Sequence, residues 1–200
     1  MSPACDRPSD CGLALTFPLQ RETFLGDVQD PAKDFVRSWA DAAASRAEDL
    51  WPTYARILDY ATAIGVEARQ VGVAVEAGAT LQTWADLVAA RRVVTLVAHW
   101  AERDDVDSIE FADGLVSVDA IVKCLPRDYD GVLDLTTCRS TRAIRAIKQA
   151  CRRCTVLTNR EETSLTIRLV LYRQIIRMLK AERTTYVDAA TRVHLALEAL

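Results

Sequence analysis

A histidine that closes one apolar run and a cysteine that closes another are the residues of this chain whose types could do chemistry together. Residues 93–98 (VVTLVA) run straight into His99, and residues 131–136 (GVLDLT) lead through Thr137 into Cys138. A free thiol has a pKa near ~8.5 and is mostly protonated at neutral pH, whereas the thiolate is the nucleophile. A histidine within hydrogen-bond reach takes that proton or holds the thiolate as an ion pair. Backbone N–H groups at a strand-end turn can then stabilise the oxyanion of a tetrahedral intermediate. His99 as base and Cys138 as nucleophile would make an acyl-transfer site. Either residue alone reads better as packing, because free cysteine is among the most buried residue types. The pair, at matching ends of two buried runs, favours the site. The other histidine, His194, falls on the apolar side of a terminal helix, where packing accounts for it.

Such a pair meets only if the two runs are neighbouring strands of one sheet, and the rest of the pattern predicts such a sheet. Residues 12–18 (GLALTFP) read as a short strand. Helical spacing follows over residues 31–64, through Phe35, Trp39, Ala43, Leu50, Tyr54, Ile57, Ala61 and Ile64. Trp51-Pro52 is expected to split it into two helices. Residues 71–75 (VGVAV) read as a buried strand ended by Gly78, and Thr80 as the N-cap of a helix through Ala90. Residues 93–98 have the pattern of a central parallel strand. Beyond them come a short strand at 108–111, a turn at Asp113-Gly114, a helix capped by Ser117 and the strand at 131–136. A basic helix at 141–153, a strand at 155–158 and helices at about 161–180 and 186–199 complete the chain. Strands alternating with helices predict a three-layer α/β domain with a mostly parallel central sheet and helices on both faces. In such sheets ligands bind beyond the carboxyl ends of the strands, where His99 and Cys138 are placed.

Composition narrows the function classes. The chain has 200 residues, 50% apolar and 26% charged, with seven Gly and six Pro. That excludes a disordered, collagen-like or low-complexity chain. Charge interrupts every apolar run well before the ~18 residues of a membrane span. A net charge of −3 argues against a protein built to grip nucleic acid, and no phosphate loop is present. No signal peptide is visible, so a cytoplasmic location is expected. Reducing conditions there keep thiols free. Cys151 and Cys154 form a C-x-x-C, yet a zinc site needs further ligands at workable spacing, and this motif closes a helix and opens a strand. Both read as packing residues. No metal or cofactor is called for.

Charge is unevenly placed. From Glu102 to Asp134 there are ten acidic and three basic residues, and from Arg139 to Arg183 twelve basic and three acidic. The plain reading is two solvated faces with intramolecular pairing. The functional one is that acidic loops beside His99 favour a basic residue at the cleavage position, with Asp113 lining the pocket.

Residues 93–100 (VVTLVAHW), 109–126 (IEFADGLVSVDAIVKCLP) and 129–141 (YDGVLDLTTCRST) together resemble the core of a CHAT domain. CHAT domains are caspase-like clan CD cysteine peptidases related to separase. The likeness covers roughly residues 71–200, with Asp113-Gly114-Leu115 and Cys138-Arg139 as its most specific segments. It implies a His99–Cys138 dyad, with the backbone N–H groups of Trp100 and Cys138 holding the oxyanion. Trp100 stands where the family usually has glycine, and its side chain is expected to crowd that backbone.

The expected organisation is a flexible leader at 1–11 and one caspase-like domain at 12–200. Residues 12–65 form its mainly helical N-terminal part and 71–200 its core. The expected function is a cysteine endopeptidase of a bacterial defence or regulatory system. Its partners would be a protein substrate and an activating sensor or regulatory protein, with no membrane and at most indirect nucleic-acid contact. Two other readings fit the residues: a catalytically degenerate CHAT-like interaction module, and a flavodoxin-like regulatory domain whose Cys and His are structural.

Overall fold

A computed structural model of the chain describes residues 6–103, 106–137, 140–158 and 164–198. In chain order its elements are β1 (Cys11–Leu15), α1 (Arg21–Asp27), α2 (Phe35–Ala43), α3 (Ala47–Gln70), β2 (Ala74–Ala77), α4 (Leu81–Ala90) and β3 (Val93–Val97). There follow β4 (His99–Arg103), β5 (Val106–Phe111), β6 (Gly114–Ser117), α5 (Val118–Lys123) and β7 (Val132–Thr136). Last come α6 (Ile144–Ala150), β8 (Thr155–Thr158), α7 (Leu165–Ala181) and α8 (Tyr186–Glu198), with 3-10 turns at Pro8–Asp10 and Ser140–Ala143.

Five strands pair in parallel in the order β2-β1-β3-β7-β8. A strand covered on both faces must be apolar on both, and every residue of β1 and β3 is buried. Side chains alternate across the pleat. Leu13, Leu15, Val93, Val97 and Val132 enter one core with Phe24, Tyr54, Ile64, Leu169 and Tyr186, from α1, α3, α7 and α8. Ala14, Val94, Leu96, Leu133 and Leu135 enter a second with Trp84, Ile121 and Ile147, from α4, α5 and α6. The molecule is thus the three-layer α/β arrangement that the alternation of elements predicts.

Two strand polar groups point into the first core and share one partner. The Tyr186 hydroxyl donates to Asp134 Oδ2 at 2.6 Å and meets Thr95 Oγ1 at 2.8 Å. Thr95 and Asp134 are register partners on β3 and β7, so the tyrosine stitches the two strands from α8. Among the described residues no helix is long and apolar enough to cross a membrane.

Several boundaries differ from expectation. The helical break falls at Ala44, not at Trp51-Pro52. Ala44 adopts a left-handed φ of 48°, and the N–H groups of Ala44 and Ser45 return to Asp41 and Ala40. Pro52 lies inside the 24-residue α3, close to its start. It forgoes one hydrogen bond there, while Trp51 and Tyr54 on either side pack on Phe24 with ring centroids at 5.4 and 4.5 Å. Strand β2 starts later than expected and is a half-exposed edge rather than a buried strand. Residues 6–11 are tied down, unlike the frayed leader expected over 1–11. Asp6 is buried and accepts the Tyr186 N–H at 2.8 Å, and Cys11 already belongs to β1. Strands β4 and β6 were not anticipated. With β5 they form a small antiparallel sheet in the order β4-β5-β6, and His99 opens β4 after a one-residue interruption at Ala98.

Gly131 leads into β7 where the chain passes tightly over its neighbours. A Cβ there would overlap the Arg92 carbonyl oxygen and the Tyr129 ring. Those atoms are fixed by hydrogen bonds from Val132 N–H and the Tyr129 hydroxyl to the same Arg92 carbonyl, both 2.8 Å. Gly131→Ala is therefore expected to destabilise the fold by about 2 kcal/mol or more, read as a lowered midpoint in urea denaturation.

Candidate functional site

A small cleft of about 80 Å³ opens at the carboxyl ends of β1 and β3. It is lined by Thr16 and Phe17 after β1, Ala98 and His99 after β3, Phe35 at the start of α2, Glu110 on β5, and Leu165 and Arg168 in the first turn of α7. Parallel sheets place their ligand sites at this edge because connections leaving the strand ends diverge there.

His99 is held from α2. Its Nε2 lies 3.0 Å from Asp34 Oδ2, and its ring stands 5.7 Å from that of Phe35. Asp34 also pairs with Arg37 through Oδ1 at 2.8 Å. The hydrogen bond from His99, with that from Arg37, lowers the Asp34 pKa to about 2. An ionised carboxylate only accepts, so in neutral His99 the Nε2 carries the hydrogen and Nδ1 holds the lone pair. The ring is thereby fixed in orientation and in tautomer.

Asp34 occupies the N-cap position of α2, where an aspartate ordinarily accepts N–H groups of its own first turn. Here it makes no such bond. Glu110 holds the residues at the start of that turn: its Oε2 accepts the backbone N–H groups of Asp34 itself and of Phe35, both at 2.7 Å. Glu110 is 4% exposed and sits opposite His99 in the β4–β5 register. A carboxylate supplied by the small sheet thus secures the helix start, while the Asp34 side chain is turned to His99. Lys33 fastens the same segment, donating to the carbonyls of Phe111 and Ala112 at 2.7 Å each. Asp27 lies nearby with Oδ2 buried and unbonded, and burial raises its pKa to about 6 despite the pull of Lys33.

The residues singled out from sequence fall as follows. His99 lines the cleft. Cys138 lies outside the described residues. Thr137 before it is fully buried with no partner for its hydroxyl, at the end of β7. Trp100 is 5% exposed, pairs with Ile109 across β4–β5, and sends its indole into the second core, away from the cleft. Asp113 sits in the β5–β6 turn and accepts the Leu81 N–H at 3.3 Å at the start of α4. It does not line the cleft. Cys151 and Cys154 are buried, and their thiols donate to backbone carbonyls of residues 126, 129 and 151. No protein-family model matches the chain, and no curated protein matches it. Among the described residues no cluster of three or more His, Cys, Asp or Glu could hold a metal ion. Part of the charge asymmetry is consumed internally: Arg142 pairs with Glu102 and with Asp107, the latter at 3.0 Å, and Arg153 pairs with Asp130 at 3.4 Å.

Asp34, Glu110, Phe35 and Arg168 were missed as site residues. A charged residue among the apolar positions of a short strand was the available hint for Glu110. An aspartate before a helix reads as a cap, which conceals the role of Asp34.

Two carboxyls here titrate with opposite signs. Asp34 has a lowered folded pKa, so its bonds stabilise the protein above the ordinary value of 3.8 and are lost as pH falls through about 2. Asp27 has a raised one, so its contribution is complete below 3.8 and is lost as pH rises through about 6. Urea denaturation across pH should find Asp34→Asn weaker than wild type at pH 5, with the gap closing toward pH 2. Asp27→Asn should be the more stable protein at pH 8, with that advantage gone at pH 4. Glu110→Ala leaves two helix N–H groups without their acceptor and should cost about 2–4 kcal/mol, read in the same experiment.

Proposed function

We propose that the protein is a cysteine endopeptidase in which Cys138 attacks the scissile carbonyl and His99 moves the proton. One observation carries this reading. Strands β3 and β7 are direct neighbours in parallel register, with Val97 opposite Thr136. His99 and Cys138 each follow two residues beyond that rung. Both residues thus come, in the sequence, just after the carboxyl ends of two paired strands. Thr95, Val97, Val132 and Asp134 serve the same face, that of α7 and α8.

In the proposed cycle the Cys138 thiol gives its proton to His99 Nδ1, the nitrogen that Asp34 leaves unprotonated. The sulfur bonds to the carbonyl carbon, and the backbone N–H groups of Trp100 and Cys138 receive the oxyanion. His99 returns the proton to the leaving amine as the C–N bond breaks. Water then attacks the thioester, losing its proton to His99, and the acid product departs with the thiol restored. Asp34 stabilises the imidazolium that forms twice in each turnover. The reading extends to a cytoplasmic setting, to a protein substrate and to an activating regulatory partner, as the CHAT resemblance implies. Packing of the Trp100 indole into the second core supports the active form over the degenerate one, since its bulk does not enter the cleft.

The test is brief alkylation with iodoacetamide, read by mass spectrometry on wild type and His99→Ala. Cys138 should label at least tenfold faster than the five other cysteines, and lose that advantage in His99→Ala. Asp34→Asn should lower turnover of a cleaved peptide by about 10²-fold or more through the wrong tautomer. Cys138 labelling no faster than the others, and indifferent to His99, would replace the peptidase reading with the non-catalytic one.

A further inference from the structure

We infer that the cleft beside His99 receives an uncharged, apolar substrate side chain of leucine or phenylalanine type at the residue preceding the scissile bond. The inference rests on the peptidase reading and sets its specificity. The walls next to His99 are Phe17, Phe35, Ala98 and Leu165. Thr16 and two charged residues, one of each sign, complete the lining, and each charged residue has backbone work. Glu110 accepts two N–H groups of α2, and Arg168 reaches the Ala98 carbonyl at 3.5 Å. Both are 4% exposed. A substrate cation drawn to Glu110 would meet Arg168, and a substrate anion drawn to Arg168 would meet Glu110. Neither sign is favoured, and either would lose hydration on entering. An apolar side chain loses none and covers two aromatic rings and a leucine. Asp113, the acidic residue suggested for a basic specificity, sits in the β5–β6 turn and is bonded to the start of α4 instead. The acidic run after His99 is partly neutralised by Arg142.

The experiment treats the full chain with peptidyl chloromethyl ketones that differ only in the residue beside the ketone: Leu, Phe, Arg or Asp. The Cys138 thiolate displaces chloride and forms a thioether, and mass spectrometry gives the rate at that residue. The Leu and Phe probes should modify Cys138 at least tenfold faster than the Arg and Asp probes. Leu165→Glu, at the half-buried start of α7, should slow the Leu and Phe probes severalfold and speed the Arg probe. Iodoacetamide, which carries no side chain, runs alongside. If it labels Cys138 in a His99-dependent way while the Arg or Asp probe is fastest, the apolar specificity is overturned and the peptidase reading stands. The specificity also falls if Leu165→Glu leaves all four rates unchanged. If iodoacetamide shows no His99-dependent labelling, the peptidase reading fails and takes this inference with it.

Discussion

The buried carboxylate of Glu110 is the constraint on which the site depends. A carboxylate 4% exposed is costly unless its lone pairs are satisfied, and here two helix N–H groups do so at 2.7 Å. The positive end of the α2 dipole adds to that compensation. The contact locks the start of α2 onto the β4–β5 hairpin from outside the helix. Asp34 turns its carboxylate to His99, and Arg37 steadies Asp34 from one turn on.

The main sheet explains why this device stands where it does. Because β1, β3 and β7 are consecutive and parallel, three connections leave the sheet at one edge. The β1 exit supplies Thr16 and Phe17, and the β3 exit supplies Ala98 and His99. Helix α7 closes the cleft with Leu165 and Arg168, and α7 is itself held to α3 by Glu67 between Arg173 and Arg177. On the β7 side the Tyr186–Asp134–Thr95 contacts tie neighbouring strands together within the apolar core. That core polar network adds a register-specific contact to strands whose burial already specifies their register. The strand ends, and whatever they carry, therefore keep their spacing.

Sequence made the sheet legible where burial is two-sided. Residues 93–97 are β-branched or apolar throughout because both faces of β3 are covered, and a five-residue run of that kind is too short for a helix and too apolar for a loop. Caps at Thr80 and Ser117 were equally readable, since a hydroxyl before an apolar helical period has one common use. The small sheet was not. β4 reads HWAER, and its alternation is masked by charge, since Glu102 pairs across space with Arg142. The helical break was misplaced because proline looks decisive from sequence, whereas Ala44 turns left-handed without any residue that advertises it. Of the site, His99 was legible from its position after a strand. The Asp34–Glu110 exchange was not, since it joins residues 76 apart in the chain and inverts the usual meaning of a capping aspartate.

Trp100 shows how far a side chain can depart from expectation without entering a site. Consecutive residues of a strand point to opposite faces. With the His99 imidazole turned to Asp34 and Phe35, the indole of Trp100 must turn the other way, and it does so into the core that holds Ile109 and Phe111. Its buried Nε1 lacks a partner, a cost that the surrounding apolar contact has to outweigh. In this chain that core extends beneath β4, and a large apolar residue after the histidine fills it while anchoring the strand that His99 begins.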